Sequence, residues 1–204
     1  ALSDAAGYTS FKAKPTFGGS DESWFVGYNN ADATFSGKLI AKSVTKMGTG
    51  NWTIKGNENT SSITVKEGKL TIFNISGVAT TGTMTVGKGA VLAGTGTTNS
   101  IVAQTGAVVK PGMTDDAVAT LTTNSNAIMQ VGATLVVNVS ATSNSKLNVK
   151  GSIFSMAGND TIVIAPQDGR TFIVGEKLTL FPGTKPTSGW IIKSTDGSLW
   201  DDST

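Results

Sequence analysis

Side chains that could perform catalysis are scarce in this sequence. It contains no histidine and no cysteine, which removes the commonest base at neutral pH, the commonest metal ligand and the thiol nucleophile. A glycosidase would need two carboxyl groups about 5 to 10 Å apart across a cleft, but the candidates are dispersed along the chain, at Glu58, Glu67, Asp115 and Asp160. A polysaccharide lyase would need a basic residue facing a groove, for which the candidates are Arg170 and Lys110. We therefore predict no catalytic residues and no enzyme activity.

A metal site has little support. Asp115 and Asp116 lie within residues 110–117, where Pro111 must end a strand, and we expect this segment to bulge as a loop. Adjacent residues of an extended chain point to opposite sides. Calcium takes about six to eight oxygen ligands, and no Asp-x-Asp array supplies them. We predict no metal and no cofactor.

Aromatic side chains are the remaining candidates for ligand contact. Trp24 and Tyr28, with Trp52 as a third candidate, could form a sugar-stacking platform because aromatic faces are amphipathic. Such a platform would make the protein a carbohydrate-binding module. Half of the fourteen aromatic residues lie in residues 1–36, at Tyr8, Phe11, Phe17, Trp24, Phe25, Tyr28 and Phe35.

The elements that must position these side chains repeat along the chain. Each copy has a short β-branched strand, a glycine turn and a second short apolar strand, as in residues 63–72 and 85–92. The glycines recur about every 21 residues on average, at Gly48, Gly68, Gly89, Gly106, Gly132, Gly151 and Gly175. A period of about 20 residues indicates a solenoid, and a unit without a helix predicts a β-helix whose stacked coils share one interior. A β-sandwich is the alternative, since many short strands separated by turns also fit it.

The repeat resembles that of a known family. The phrases that carry the resemblance are residues 46–54, 57–60, 64–70, 92–96, 109–112, 147–151 and 176–181. They are similar to the autotransporter-associated β-strand repeat of bacterial passenger domains, over roughly residues 37 to 182. The resemblance implies a right-handed parallel β-helix carried outside a Gram-negative cell, secreted or on the outer-membrane surface, as an adhesin, stalk or presentation scaffold.

Three segments follow from the repeat. We expect an N-terminal cap or incoming coil at 1–36, β-helix repeats at 37–182 and a capping segment at 183–204, whose Trp200-Asp-Asp-Ser phrase is similar to the closing element of solenoid passengers. The strand that would follow that phrase is missing, so we expect the segment to be truncated. The N-terminal aromatic cluster then has a second interpretation as a plug, because terminal repeats must be capped. We favour the plug over the sugar platform, and inward packing over ligand contact for Trp52, which alternates with Ile54.

Composition argues against several partners. Only 15% of the residues are charged and the net charge is +2, whereas nucleic-acid binding requires a concentrated basic face. No apolar run of about 18 residues occurs, so we expect no membrane insertion of this segment. Turn chemistry in a chain rich in Asn, Ser and Thr explains the five Asn-x-Ser/Thr sequons, at Asn51, Asn59, Asn74, Asn138 and Asn159.

The sequence as a whole predicts a monomeric, non-catalytic extracellular spacer or adhesive passenger segment. Its partners would be host or environmental glycans or surface proteins, contacted weakly and multivalently by a polar Thr/Asn/Ser flank. A carbohydrate-binding module is the first alternative, and a polysaccharide lyase is the second.

Overall fold

A computed structural model describes residues 21–37, 39–56, 59–74, 77–158, 160–187 and 190–195. This part of the chain contains strands and no helix. In chain order the strands are β1 (Ser23–Val26), β2 (Ala33–Phe35), β3 (Ile40–Lys46), β4 (Asn51–Ile54), β5 (Asn59–Val65), β6 (Lys69–Ile72), β7 (Thr83–Val86), β8 (Val91–Gly94), β9 (Thr97–Thr98), β10 (Ser100–Ala103), β11 (Val108–Pro111), β12 (Thr120–Thr123), β13 (Ala127–Met129), β14 (Thr134–Val139), β15 (Lys146–Val149), β16 (Phe154–Met156), β17 (Asp160–Pro166) and β18 (Trp190–Ser194).

The strands form three parallel sheets that the chain visits in turn. Sheet A has seven strands in the order β1-β3-β5-β7-β10-β13-β16, and sheet B has eight in the order β2-β4-β6-β8-β11-β14-β17-β18. Sheet C has three, in the order β9-β12-β15. Seven successive circuits each add one strand to sheet A and then one to sheet B, and β18 adds an eighth strand to sheet B, so the fold is a parallel β-helix, as predicted. The alternative of a β-sandwich is wrong, because its strands would pair antiparallel within two facing sheets. The right-handed sense of the coil stays a prediction.

The core consists of columns of apolar side chains that stack in register from coil to coil. In sheet B, one inward column contains Trp52, Leu70, Leu92, Val109, Leu135 and Ile162, all buried. Alternate residues of a strand point to the same face, so each short strand places one or two side chains inside. Burying an aliphatic side chain contributes about 1.5 to 3 kcal/mol, and no single coil could exclude water from these side chains alone.

Glycines occupy the corner between sheet A and sheet B, called here the AB corner. At Gly48, φ is 68° and a Cβ atom would lie 2.3 Å from the carbonyl oxygen of Gly27, so only glycine fits between the stacked turns. Left-handed glycines also stand at this corner in the neighbouring coils, at Gly27, Gly68, Gly89, Gly106 and Gly132. The sequence prediction located five of these six and missed Gly27.

Two of the seven predicted repeat glycines, Gly151 and Gly175, do not lie at AB corners. Gly151 follows β15 and lies on the return from sheet C to sheet A, and Gly175 lies in a turn outside the strands. The strands predicted around Gly175 are absent from the described residues 167–187. This segment still covers the core, because the N–H of Leu147 donates to the carbonyl of Leu180 (3.1 Å) and the rings of Phe154 and Phe181 meet edge to face.

Coils lengthen toward the C-terminus. Thr83 pairs with Ser100, 17 residues later, whereas Ala127 pairs with Phe154, 27 residues later. The longer coils contain β12 or β15, and one of them contains the loop at residues 112–119. This loop and the end of β11 at Pro111 confirm the predicted interruption, although Lys110 and Pro111 themselves belong to the strand.

Pairing extends beyond the predicted repeat region at both ends. In the segment 1–36, β1 and β2 pair with β3 and β4 as a coil of the solenoid. In the segment 183–204, β18 pairs with β17. The predicted cap residues Tyr8, Phe11 and Phe17, and the Trp200-Asp-Asp-Ser phrase, lie outside the described residues.

Candidate binding surface

Short hydroxyl side chains line the outer face of sheet A in two columns. The first column pairs Ser43, Ser62, Thr83 and Ser100 across successive strands, and the second pairs Thr45, Thr64 and Thr85. These seven residues are called here the sheet A ladder. Neighbouring strands lie about 4.8 Å apart, and residues two positions apart on one strand face the same side. The ladder is therefore a regular array of hydroxyl groups on one face of the solenoid.

Strand alternation creates this face. Within β3, β5 and β7, the inward neighbours of the ladder are Val44, Ile63 and Met84, all buried. A β-branched threonine packs well on a pleated surface while its hydroxyl stays accessible. The same three-residue pattern of hydroxyl, apolar and hydroxyl residues thus supplies both the core and the outer array.

Most ladder hydroxyls have no partner within the described part of the protein. Ser43 donates to Ser23 Oγ (2.7 Å), while the other six ladder side chains make no hydrogen bond to a described residue. Threonines elsewhere behave differently. Thr71 donates to Asn51 Oδ1 and Thr80 to the carbonyl of Thr60, both at 2.8 Å. The ladder therefore keeps its hydrogen-bonding capacity for water or a ligand.

The ladder carries no charged side chain. In the second column, Phe25 continues it at the N-terminal end and is 57% exposed. At the other end of the same column stand Val102 and Ile128. The ladder is thus neutral, with an exposed aromatic ring at one end and aliphatic groups at the other.

The structure does not bring the three predicted aromatic contact residues together. Trp24 pairs with Val44, packs against the core and is half-buried, whereas Tyr28 is 67% exposed in the turn after Gly27. Trp52 is only 2% exposed. Ligand contact by Trp52 is wrong, because its indole fills the core, and the preferred inward packing is confirmed.

Sequence reasoning missed the ladder, although a signal for it exists. A Ser/Thr-x-Ser/Thr triplet precedes Gly48, Gly68 and Gly89 by three or four residues. The glycines and apolar residues of the repeat do not distinguish these hydroxyl residues from a generic polar flank.

The three candidate carboxylates that the structure describes lie at separate places and do not form a catalytic pair. Glu67 accepts a hydrogen bond from the N–H of Gly48 (3.2 Å) at an AB corner. Asp115 is exposed in the loop after β11, 3.5 Å from the Lys110 ammonium, and Asp160 is fully buried. Glu58 lies outside the described residues. Among those residues, no group of three or more His, Cys, Asp and Glu side chains could hold a metal ion.

The two candidate basic residues are both paired with carboxylates. Arg170 pairs with Glu176, donates to the carbonyl of Ala141 (2.9 Å) and lies over the ring of Phe172, 5.2 Å from its centroid. Lys110 pairs with Asp115. Neither side chain is presented as a free base toward a groove.

Among the residues that the structure describes, two ionisable side chains are buried, Lys46 and Asp160. The Lys46 ammonium donates to the carbonyls of Met47 (2.8 Å), Gly48 (2.7 Å) and Glu67 (3.2 Å). Burial lowers the pKa of Lys46, and the Glu67 and Asp32 charges oppose this shift. Burial raises the pKa of Asp160, opposed by a hydrogen bond from the N–H of Ala133 (3.1 Å). Both side chains contact backbone atoms of the turns, so their roles are structural.

Two of the sequon asparagines are buried and engaged in hydrogen bonds. Asn74 donates to the carbonyl of Gly77 (2.9 Å), and Asn138 donates to the carbonyls of Asp115 and Ala117. Asn138 thereby anchors the loop at residues 112–119, and neither asparagine could carry a glycan in this fold. Asn51 is half-buried, and its amide bonds to Thr53 and Thr71. Asn159 and the Asn59 side chain lie outside the described residues.

No protein-family model and no curated protein matches the chain. In the part of the chain that the structure describes, no helix has the length and apolar character needed to span a bilayer.

Proposed function

We propose that this protein is a non-catalytic extracellular scaffold, a rigid β-helical segment of a bacterial passenger protein. It holds a recognition region away from a Gram-negative cell and offers a neutral polar flank for weak, repeated contacts. The observation that carries the proposal is the in-register pairing of strands in sheet B from β2 to β18. Each coil is hydrogen-bonded to the coils above and below, which makes the stack stiff along its axis.

The dimensions suit a spacer. Eight strands in sheet B at a separation of about 4.8 Å give a rod segment about 34 Å long. The resemblance to autotransporter passengers supports the extracellular location. The neutral hydroxyl face supports partners such as glycans or surface proteins and argues against nucleic acid, which requires concentrated basic charge.

The burial of Trp52 and the packing of Trp24 against the core argue against the alternative of an aromatic carbohydrate-binding module. The alternative of a lyase lacks a free basic residue at its two named positions, because Lys110 and Arg170 are both ion-paired.

Surface display tests the spacer function. The full chain is inserted between an epitope tag and a heterologous outer-membrane anchor, and a flexible Gly/Ser linker of equal residue number is the control. We expect antibody-coated beads to capture cells through the tag more efficiently with this chain than with the linker, because a random coil stays near its anchor. Equal capture would contradict the spacer. Release of sugar or of unsaturated product from polysaccharides incubated with the chain would contradict the non-catalytic assignment.

A further inference from the structure

We propose that the sheet A ladder binds an extended, uncharged polysaccharide whose chain lies along the solenoid axis. This inference rests on the proposed function as a presenting scaffold and names the face and the ligand class. The surface differs from the predicted aromatic platform, because it uses hydroxyl groups of β3, β5, β7 and β10.

The register of the sheet A strands favours an extended ligand. Successive residues of each ladder column are direct partners on neighbouring parallel strands, so hydroxyl groups recur about every 4.8 Å along the axis. A sugar unit in an extended β-linked chain has a similar length. One polymer can therefore place equivalent hydroxyl groups opposite successive rungs, which an irregular or globular ligand cannot do.

The methyl and hydroxyl groups of the ladder threonines suit a sugar ring. Each threonine presents a methyl group beside a hydroxyl, and a sugar ring likewise presents C–H faces between hydroxyl edges. Thr64 and Thr85 make no hydrogen bond to a described residue, so binding a sugar breaks no internal bond. A single hydrogen bond contributes little to affinity, but the contacts of one chain with several rungs add together.

Charge selects the class of polysaccharide. The seven ladder residues carry no charge, although the exposed Lys42 and Lys66 lie beside them, so an acidic polymer finds no cation within the ladder to offset the loss of its hydration. A neutral polymer loses less hydration free energy when it binds. Phe25, 57% exposed in the second column, offers a ring on which the next sugar can stack.

Matched threonine pairs test the proposal. Thr64 and Thr85 are direct partners on sheet A, and Thr134 and Thr161 are direct partners on the outer face of sheet B. Valine keeps the shape of threonine and suits a strand. The full chain and the double variants Thr64→Val with Thr85→Val and Thr134→Val with Thr161→Val are compared for adsorption to cellulose, chitin, alginate gel, pectate gel and ice, after thermal melts have shown that all three fold.

We expect adsorption to cellulose or chitin and none to alginate or pectate. The sheet A variant should bind about ten- to thirty-fold more weakly, the loss for two hydrogen bonds of about 1 kcal/mol each, and the sheet B variant should match the parent. The proposal is overturned by absence of adsorption to neutral polysaccharide, by equal adsorption to the acidic gels, by equal loss in both variants, or by adsorption to ice alone. A chain that passes the display test yet binds no polysaccharide contradicts only this inference, whereas failure of the display test contradicts the scaffold itself.

Discussion

Lys46 and Asp160 are both buried near AB corners, one toward each end of the solenoid, yet their surroundings differ. Lys46 is 1% exposed and takes an inward position that is occupied by Val26 and Val65 in the neighbouring coils. Its ammonium donates to three carbonyls, which belong to the turns of two coils. The charge is buried with every donor satisfied.

Asp160 is 0% exposed and stands where preceding coils have alanine, at Ala107 and Ala133. One carboxylate oxygen accepts a hydrogen bond from Ala133, but the other is buried without a partner among the described residues. Burial alone therefore does not make a charged side chain stabilising. We expect Lys46 to hold two coils together and Asp160 to be tolerated at a cost.

The largest effect is expected at the glycine whose carbonyl accepts from Lys46. Gly48→Ala should lower the free energy of unfolding by about 4 kcal/mol, because it combines left-handed backbone strain with overpacking against Gly27. The matched control is Gly89→Ala, where φ is also positive but no atom lies within 4 Å of the added Cβ. Urea denaturation should show a loss of only about 1 to 2 kcal/mol there. Equal losses at the two glycines would remove the claim that the Lys46 corner is specially crowded.

The next effect is expected from Lys46→Met, which keeps the length of the side chain and removes the ammonium. Three carbonyls lose a charged donor, and hydrogen bonds to charged groups contribute about 1.5 to 3 kcal/mol each, partly replaced here by water. We expect a loss of about 3 kcal/mol in urea denaturation. Lys66→Met, at an exposed lysine of the next coil, is the control and should stay within about 0.5 kcal/mol of the parent. A fully stable Lys46→Met variant would mean that the three bonds only offset the burial of the charge.

A smaller effect is expected from Asp160→Ala. The variant loses one hydrogen bond from Ala133 but also removes a buried oxygen without a partner. The free energy lost with the bond and the free energy gained by removing the buried oxygen are of similar size. The free energy of unfolding at pH 7 should lie within about 1 kcal/mol of the parent or above it. A loss as large as that of Lys46→Met would show that the carboxylate has partners comparable to those of the ammonium.

The smallest effect concerns pH. Because the pKa of Asp160 is raised in the folded state, its contribution is fully present below the unfolded pKa of about 3.9 and is lost as pH rises through the folded pKa. The pKa of Lys46 is lowered, so its contribution is present above about 10.4 and is lost as pH falls through the folded pKa. The stability of Asp160→Ala relative to the parent should therefore increase from about pH 4 upward. Urea midpoints measured at several pH values check this, and a relative stability that falls over the same range would reverse the sign of the Asp160 shift.

The repeat predicted the fold because two constraints recur in every coil. Alternation placed Ile63 and Leu70 inside, and a corner without room for a Cβ required glycine at Gly48. The glycine spacing wrongly predicted AB corners at Gly151 and Gly175, since glycine also occurs in other turns. The glycine spacing did not predict the AB corner at Asp160, where the described residues include no left-handed glycine.

The candidate surface could be predicted only in part. Alternation with Val44 already placed Thr45 outside and Lys46 inside. Whether a hydroxyl column forms, and whether an ammonium reaches three carbonyls, depends on which residues of successive coils are partners. Coils of 17 to 30 residues leave that register open, so the sheet A ladder and the environment of Lys46 required the structure.

Engineered cysteine pairs test the register of the coils most directly, since the chain contains no cysteine. Thr64 and Thr85 are direct partners, about 4.8 Å apart, within the Cα separation that a disulfide spans. Thr64 and Thr83 are diagonal and about 8 Å apart, beyond that range. We predict that Thr64→Cys with Thr85→Cys forms an intramolecular disulfide under mild oxidation and that Thr64→Cys with Thr83→Cys does not. Equal or reversed disulfide yields would contradict the in-register stacking on which the scaffold and its ladder depend.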